Sequence, residues 1–163
     1  MAIADGVRAS SAFTQNAGSR RLAIRRLAAH VPRIAMPPLK RSIALLIRNG
    51  DRILSVRRAD DDDELPGVWG LPAGSFRESE NLDGLVTRIG REKLGVELQP
   101  IRILAHDQQQ RASYVLDMAL WEAEIVSGSI AHPAWQWAAP AILLPGIAQG
   151  SLCCRLAVGA LKS

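Results

Sequence analysis

The sequence predicts an α/β fold, a sandwich built on a mixed β-sheet, and three observations carry that prediction. Two apolar, β-prone runs flank an Asn49-Gly50 pair, a stretch with helical spacing follows at residues 82–94, and two further strand-like runs lead to a terminal helix. Strands, a long helix, strands and a last helix, in that order, describe a sheet covered by helices rather than a bundle or an all-β barrel.

The first element is a hairpin. Residues 42–48 and 51–57 are apolar and β-prone, and both residues of the intervening Asn-Gly pair accept the positive φ of a two-residue turn. The acidic run at 60–64 reads as a solvated loop. Residues 65–74 (Leu-Pro-Gly-Val-Trp-Gly-Leu-Pro-Ala-Gly) hold two prolines and three glycines, which predicts a shaped loop with little regular structure. Next, Leu82, Leu85, Val86, Ile89 and either Lys93 or Leu94 recur at helical spacing, with Gly95 placed to stop the helix. Residues 98–105 and 113–126 read as two strands joined by a polar turn at 108–111, and a Pro-containing loop then leads to a short strand at 135–137. Ser151 suits the cap of a terminal helix over 152–161. No internal repeat is present.

Composition excludes several classes. A chain of 163 residues is one ordinary domain, and 48% hydrophobic with 22% charged residues is enough for a real core, which excludes wholesale disorder. No apolar run approaches the ~20 residues that cross a bilayer, so no membrane partner is expected. The only cysteines, Cys153 and Cys154, are adjacent, which suits neither a disulfide framework nor zinc-ligand spacing and fits a reducing, cytoplasmic setting. The net charge of +4 is uneven: residues 1–40 carry seven bases against Asp5, whereas 41–163 carry 13 bases and 15 acids. Residues 1–35 therefore read as a basic, flexible extension ahead of a domain at 36–163. This extension is extra translated sequence before a start at Met36, a surface helix over 20–30, or an Arg-rich targeting peptide. Only Phe13 interleaves its bases with an aromatic ring, so nucleic acid is not expected as a partner.

The chemistry lies in Gly74-Ser-Phe-Arg-Glu-Ser-Glu80 and in Arg88-Ile-Gly-Arg-Glu92-Lys-Leu-Gly95-Val96. A glycine-bearing loop lets backbone approach an anionic ligand, and a helix after it offers side chains at i, i+3 and i+4 on one face. Carboxylates gathered there would hold a hard divalent cation that bridges a diphosphate. The segment resembles a Nudix box: Gly, five residues, Glu, seven residues, Arg-Glu-aliphatic-x-Glu-Glu-x-Gly-aliphatic, with Gly74, Glu80, Arg88, Glu92, Gly95 and Val96 in place without a gap. Leu71-Pro-Ala-Gly74 resembles the Leu-Pro-Gly-Gly that opens the family's box, and Trp137 resembles a tryptophan near its last strand. The resemblance spans about residues 40 to 160.

It implies a Nudix-like α/β/α sandwich and hydrolysis of a nucleoside diphosphate linked to another moiety, dependent on Mg²⁺ or Mn²⁺. It also implies roles: Glu92, Arg88 and Glu80 in catalysis, Glu92 and Glu80 as metal ligands, and Gly74 in binding the ligand; Ala73 and Lys93, though they depart from the family pattern, are further candidates for binding it. The expected partner is a small-molecule nucleotide derivative, and a homodimer is an assembly the reading allows. Two departures favour an alternative, a module that holds a nucleotide without cutting it: Ile89 stands at the first glutamate of the Arg-Glu pair and Lys93 at the second of the Glu-Glu pair. Ala73 also replaces a glycine, whose backbone carbonyl would still serve. The Ala131-His132 region supplies no further acid.

Each residue also has a plain structural role to set against these. Glu92 and Arg88 are an i, i+4 ion pair, Glu80 is a helix-start acid, and Lys93 is either solvated or a diphosphate contact that replaces part of a missing metal. Trp69, Phe76, Tyr114 and Trp137 are core residues or base-stacking rings. Asp60 to Glu64 form a loop able to lend a carboxylate, His106 and His132 lack partners at metal spacing, and the cysteines are buried packing.

Overall fold

The computed structural model describes residues 35–163, so the three readings of the N-terminal extension lie outside the described residues. Pro37–Ser163 forms one compact unit. Its elements are β1 (Leu39–Asn49), β2 (Arg52–Arg57), β3 (Trp69–Gly70), β4 (Ala73–Ser75), α1 (Leu82–Arg88) with a wide helical turn over Ile89–Leu94, β5 (Glu97–Gln110), β6 (Val115–Ser127) and β7 (Trp135–Ala138). A single turn of tight helix at Pro140–Leu143, α2 (Leu144–Ala148) and α3 (Leu152–Leu161) close the chain.

β1 is the spine of a mixed sheet. It pairs in parallel with β6 from Leu39↔Val115 to Ile47↔Ala123, antiparallel with β4, and through its last residues with β2. β5 lies antiparallel outside β6, while β2 carries both β3 and β7. Gly50, at φ 63°, makes the hairpin turn between β1 and β2 that Asn-Gly predicts.

The apolar run of β1 is covered on both faces, which is why it reads as continuous rather than alternating. Ala44 and Leu46 pack with Leu152, Cys153, Cys154, Leu156 and Ala157 of α3. Ile43, Leu45 and Ile47 pack with Leu85, Val86, Ile89 and Leu94 on the other side. The fold is thus the expected helix–sheet–helix sandwich.

Local features differ from the sequence reading. The polar stretch at 108–111 is mostly strand rather than turn, since β5 runs on through Gln110 and the chain reverses over 111–114. Residues 65–74 are not wholly irregular, since β3 and β4 form there with Pro66 and Pro72 just outside them, where a missing N–H costs no ladder bond. The Pro72 carbonyl still accepts from the Leu45 N–H at 2.8 Å. The helix over 82–94 is not α throughout. It starts on Asn81, whose side chain accepts from Gly84 N at 2.8 Å, and widens after Arg88. Ile89 and Leu94, five residues apart, are both fully buried, the spacing of a wider turn. Gly95 closes it at φ 72°, its N–H bonding back to the Gly90 carbonyl. Leu94 therefore takes the core position and Lys93 is left at the surface.

Candidate functional site

Gly74 sits in β4 directly against α1. A Cβ there would lie 3.1 Å from Ile89 Cγ1 and 3.2 Å from Leu85 Cδ1, so the turn and the helix approach as closely as only glycine permits. Ile89, fully buried, fills that contact. Glu80 is held by a two-pronged pair with Arg88: Nε to Oε1 at 2.8 Å and Nη2 to Oε2 at 2.8 Å, with the Arg77 N–H on Oε2 at 3.0 Å. Arg88 also donates to the Ser75 carbonyl at 2.7 Å, tying helix to turn. The Arg88 guanidinium, followed by the Arg77 N–H, brings the Glu80 carboxyl down to about 2. Glu92 is exposed, with Arg77 Nη2 at 3.8 Å.

Lys93 reaches back from the wide turn and donates to the Ala73 carbonyl. The residue as a whole is exposed, yet its ammonium is desolvated. That desolvation, helped by the nearby charges of Arg58 and Arg88, lowers its pKa. Two hollows meet at this contact. One, of about 190 Å³, is lined by Lys40, Arg58, Lys93 and Arg111 with the Gly74–Ser75 turn, Tyr114 and Cys153, and holds one carboxylate, Glu64. The other, of about 300 Å³, shares Arg58, Ala73 and Lys93 and is walled by Val56, Leu71, Leu94 and His132.

Within the first hollow, Tyr114 Oη donates to Glu64, and Lys40 Nζ lies 5.2 Å from the centre of the Tyr114 ring. Arg58 pairs with Asp62 at 3.2 Å, whereas Lys40, Lys93 and Arg111 have no carboxylate within ion-pair distance among the described residues. The Arg111 Nε is buried without a hydrogen-bond partner.

Comparison with known proteins identifies the family. The family model for the NUDIX domain matches residues 38–151, most of the described unit. The chain belongs to the NUDIX domain family. Among solved structures it resembles a NUDIX hydrolase from Nitrosomonas europaea, with a TM-score of 0.61 and 15% identity over 77% of this chain and 88% of that one. The MutT protein from Methanosarcina mazei Go1 is similar at a TM-score of 0.58 and 22% identity, covering 68% and 84% of the two chains. A UDP-X diphosphatase is similar at 0.53 and 16%, covering 74% and 60%. No curated protein matches the sequence.

The residues of this NUDIX domain do not fit a divalent cation. Such an ion needs several oxygen ligands together. Both Glu80 oxygens are taken by Arg88 and the Arg77 N–H. The Ala73 carbonyl is taken by an ammonium. No group of three or more His, Cys, Asp or Glu able to hold a metal gathers among the described residues.

Of the other residues singled out from the sequence, Cys153, Asp62 and His132 border the hollows and the rest fall elsewhere. Asp62 accepts from the Leu65 and Glu64 N–H groups at 2.8 and 3.1 Å, which, with Arg58, shapes the acidic loop and lowers its pKa. His106 bonds Asp117 at 2.8 Å, away from the turn, and His132 accepts from the Ala134 N–H. Arg41 covers Phe76 at 5.1 Å, and Trp137 meets Trp135 edge-on at 6.4 Å. Cys153 and Cys154 are free and buried. Cys153 is depressed by the Cys154 thiol beside it, by the Leu71 N–H and by the Ser151 hydroxyl at 3.3 Å. Sequence reasoning missed Lys40, Arg58 and Arg111, because only the parallel β1–β6 pairing and the β2 end bring them to the Gly74 turn.

Proposed function

We propose that this NUDIX domain binds a nucleoside diphosphate linked to a second moiety, with the diphosphate in the cationic hollow beside Gly74. The convergence of Lys40, Arg58, Lys93 and Arg111 on a hollow with one carboxylate carries this reading. Two unit charges ~5 Å apart repel by about 3 kcal/mol at an effective dielectric of 20, so such a cluster favours an anion. Arginine forks and lysine ammonium groups match phosphate oxygens. The adjoining hollow, with apolar walls from Val56, Leu71 and Leu94, suits the less polar part of such a ligand. The name of the similar UDP-X diphosphatase points to the same ligand class. The two free cysteines support a cytoplasmic setting.

The hydrolytic reading, dependent on Mg²⁺ or Mn²⁺ with Glu92 as its central carboxylate, is second. The solvent exposure of Glu92 and the hydrolases among the fold's relatives favour it. Calorimetry with a panel of nucleoside diphosphate derivatives, run beside a phosphate-release assay with Mg²⁺ and Mn²⁺, separates the two. Binding without turnover is the expected result. Turnover abolished by Glu92→Gln would establish the second reading, and no binding across the panel would overturn both.

A further inference from the structure

Lys93 is placed by a backbone device rather than by side-chain reach alone. The wide turn over Ile89–Leu94 gives the buried position to Leu94, five residues after Ile89, and leaves Lys93 on the flank facing β4. Its ammonium is then fixed on the Ala73 carbonyl, where the two hollows adjoin. An ammonium has three N–H donors and the carbonyl uses one, so two remain for a ligand. No carboxylate lies within ion-pair distance of it among the described residues. Arg58 lines both hollows beside it, and Arg111 lines one of them.

From this arrangement, and resting on the diphosphate reading above, we infer that Lys93 is a tethered cation that replaces a divalent ion. Held on the Ala73 carbonyl, it contacts the diphosphate in the cationic hollow, at the edge shared with the second hollow, and binding needs no metal. The misfit of the carboxylates and the position of the ammonium are then two sides of one substitution. The charge that neutralises the phosphates is built into the chain, and an added divalent cation would meet Lys93 as a like charge.

The test is calorimetric titration of the full chain with ADP, in EDTA and again in Mg²⁺, for the wild type, Lys93→Met and Lys93→Arg. The wild type is expected to bind in EDTA. Lys93→Met should lose about tenfold or more of that affinity with its melting temperature unchanged, as expected for one charge-assisted hydrogen bond to phosphate. Lys93→Arg should recover most of it, which removal of mere packing would not reproduce. Wild-type binding that vanishes in EDTA and returns with Mg²⁺ would overturn the inference while leaving the diphosphate reading standing. Unchanged affinity in Lys93→Met would do the same. Absence of wild-type binding in both buffers, repeated across the wider nucleotide panel, would overturn the reading itself.

Discussion

At the scale of single residues, Glu80 and Arg88 form the tightest polar contact of the turn, and its pH behaviour is fixed in sign. The Glu80 carboxyl is lowered from 4.5 to about 2 in the folded chain by Arg88. A depressed carboxylate stabilises the fold above its unfolded value and loses that contribution as pH falls through its folded one. Thermal melts should therefore show the wild type losing stability between pH 4.5 and about 2, with Glu80→Gln less stable at neutral pH and flatter across that window. Ile89 gives the opposite kind of prediction. It is fully buried against Gly74, so Ile89→Glu, which restores the family's residue, buries an unpaired charge. A loss of about 3–5 kcal/mol in urea denaturation is expected. Glu80, Arg88, Glu92 and Lys93 were legible in the sequence because the box fixes their spacing. Lys40, Arg58 and Arg111 were not, since no local pattern marks a cation whose neighbours come from distant strands.

At the scale of elements, the wide turn after α1 separates what propensity says from what packing allows. Gly90 lies in a helical stretch, where alanine is ordinarily favoured by ~1 kcal/mol. A Cβ at Gly90 would meet the Val96 carbonyl oxygen at 2.6 Å and Leu98 Cγ at 3.0 Å. Gly90→Ala should thus destabilise by about 1–3 kcal/mol, measured by equilibrium urea unfolding, despite its helix propensity. Sequence period found this helix and its glycine stop, and Asn49-Gly50 and Ser151 marked their turn and cap, because each of these signals is local. The widened turn was hidden in the ambiguity between Lys93 and Leu94, which only burial resolves. The strands β3 and β4 were hidden for a related reason: their partners lie far along the chain, and prolines just outside short edge strands mask them.

At the scale of the whole molecule, charge and connectivity make their own demands. The body beyond residue 40 is slightly acidic, with 13 bases and 15 acids, yet three of those bases converge with Lys40 on one hollow. Diphosphate affinity should fall several-fold as salt rises toward ~0.5 M, since part of that field is solvent-exposed and screened. A chain beginning at Met36 should keep the melting temperature and ADP affinity of the full chain, because the compact unit starts at Pro37 and the NUDIX match at residue 38. The parallel register of β1 has a consequence for synthesis. Leu39 finds its neighbour only when Val115 has been made, and at roughly 5–20 residues per second that delay lasts several seconds. Through that interval the Ile43 to Ile47 segment, destined for the middle of the sheet, is a sticky ribbon with one edge unclaimed. Nascent chains of this protein should therefore depend on holding factors at the ribosome more than a chain whose first strand pairs only with its hairpin mate.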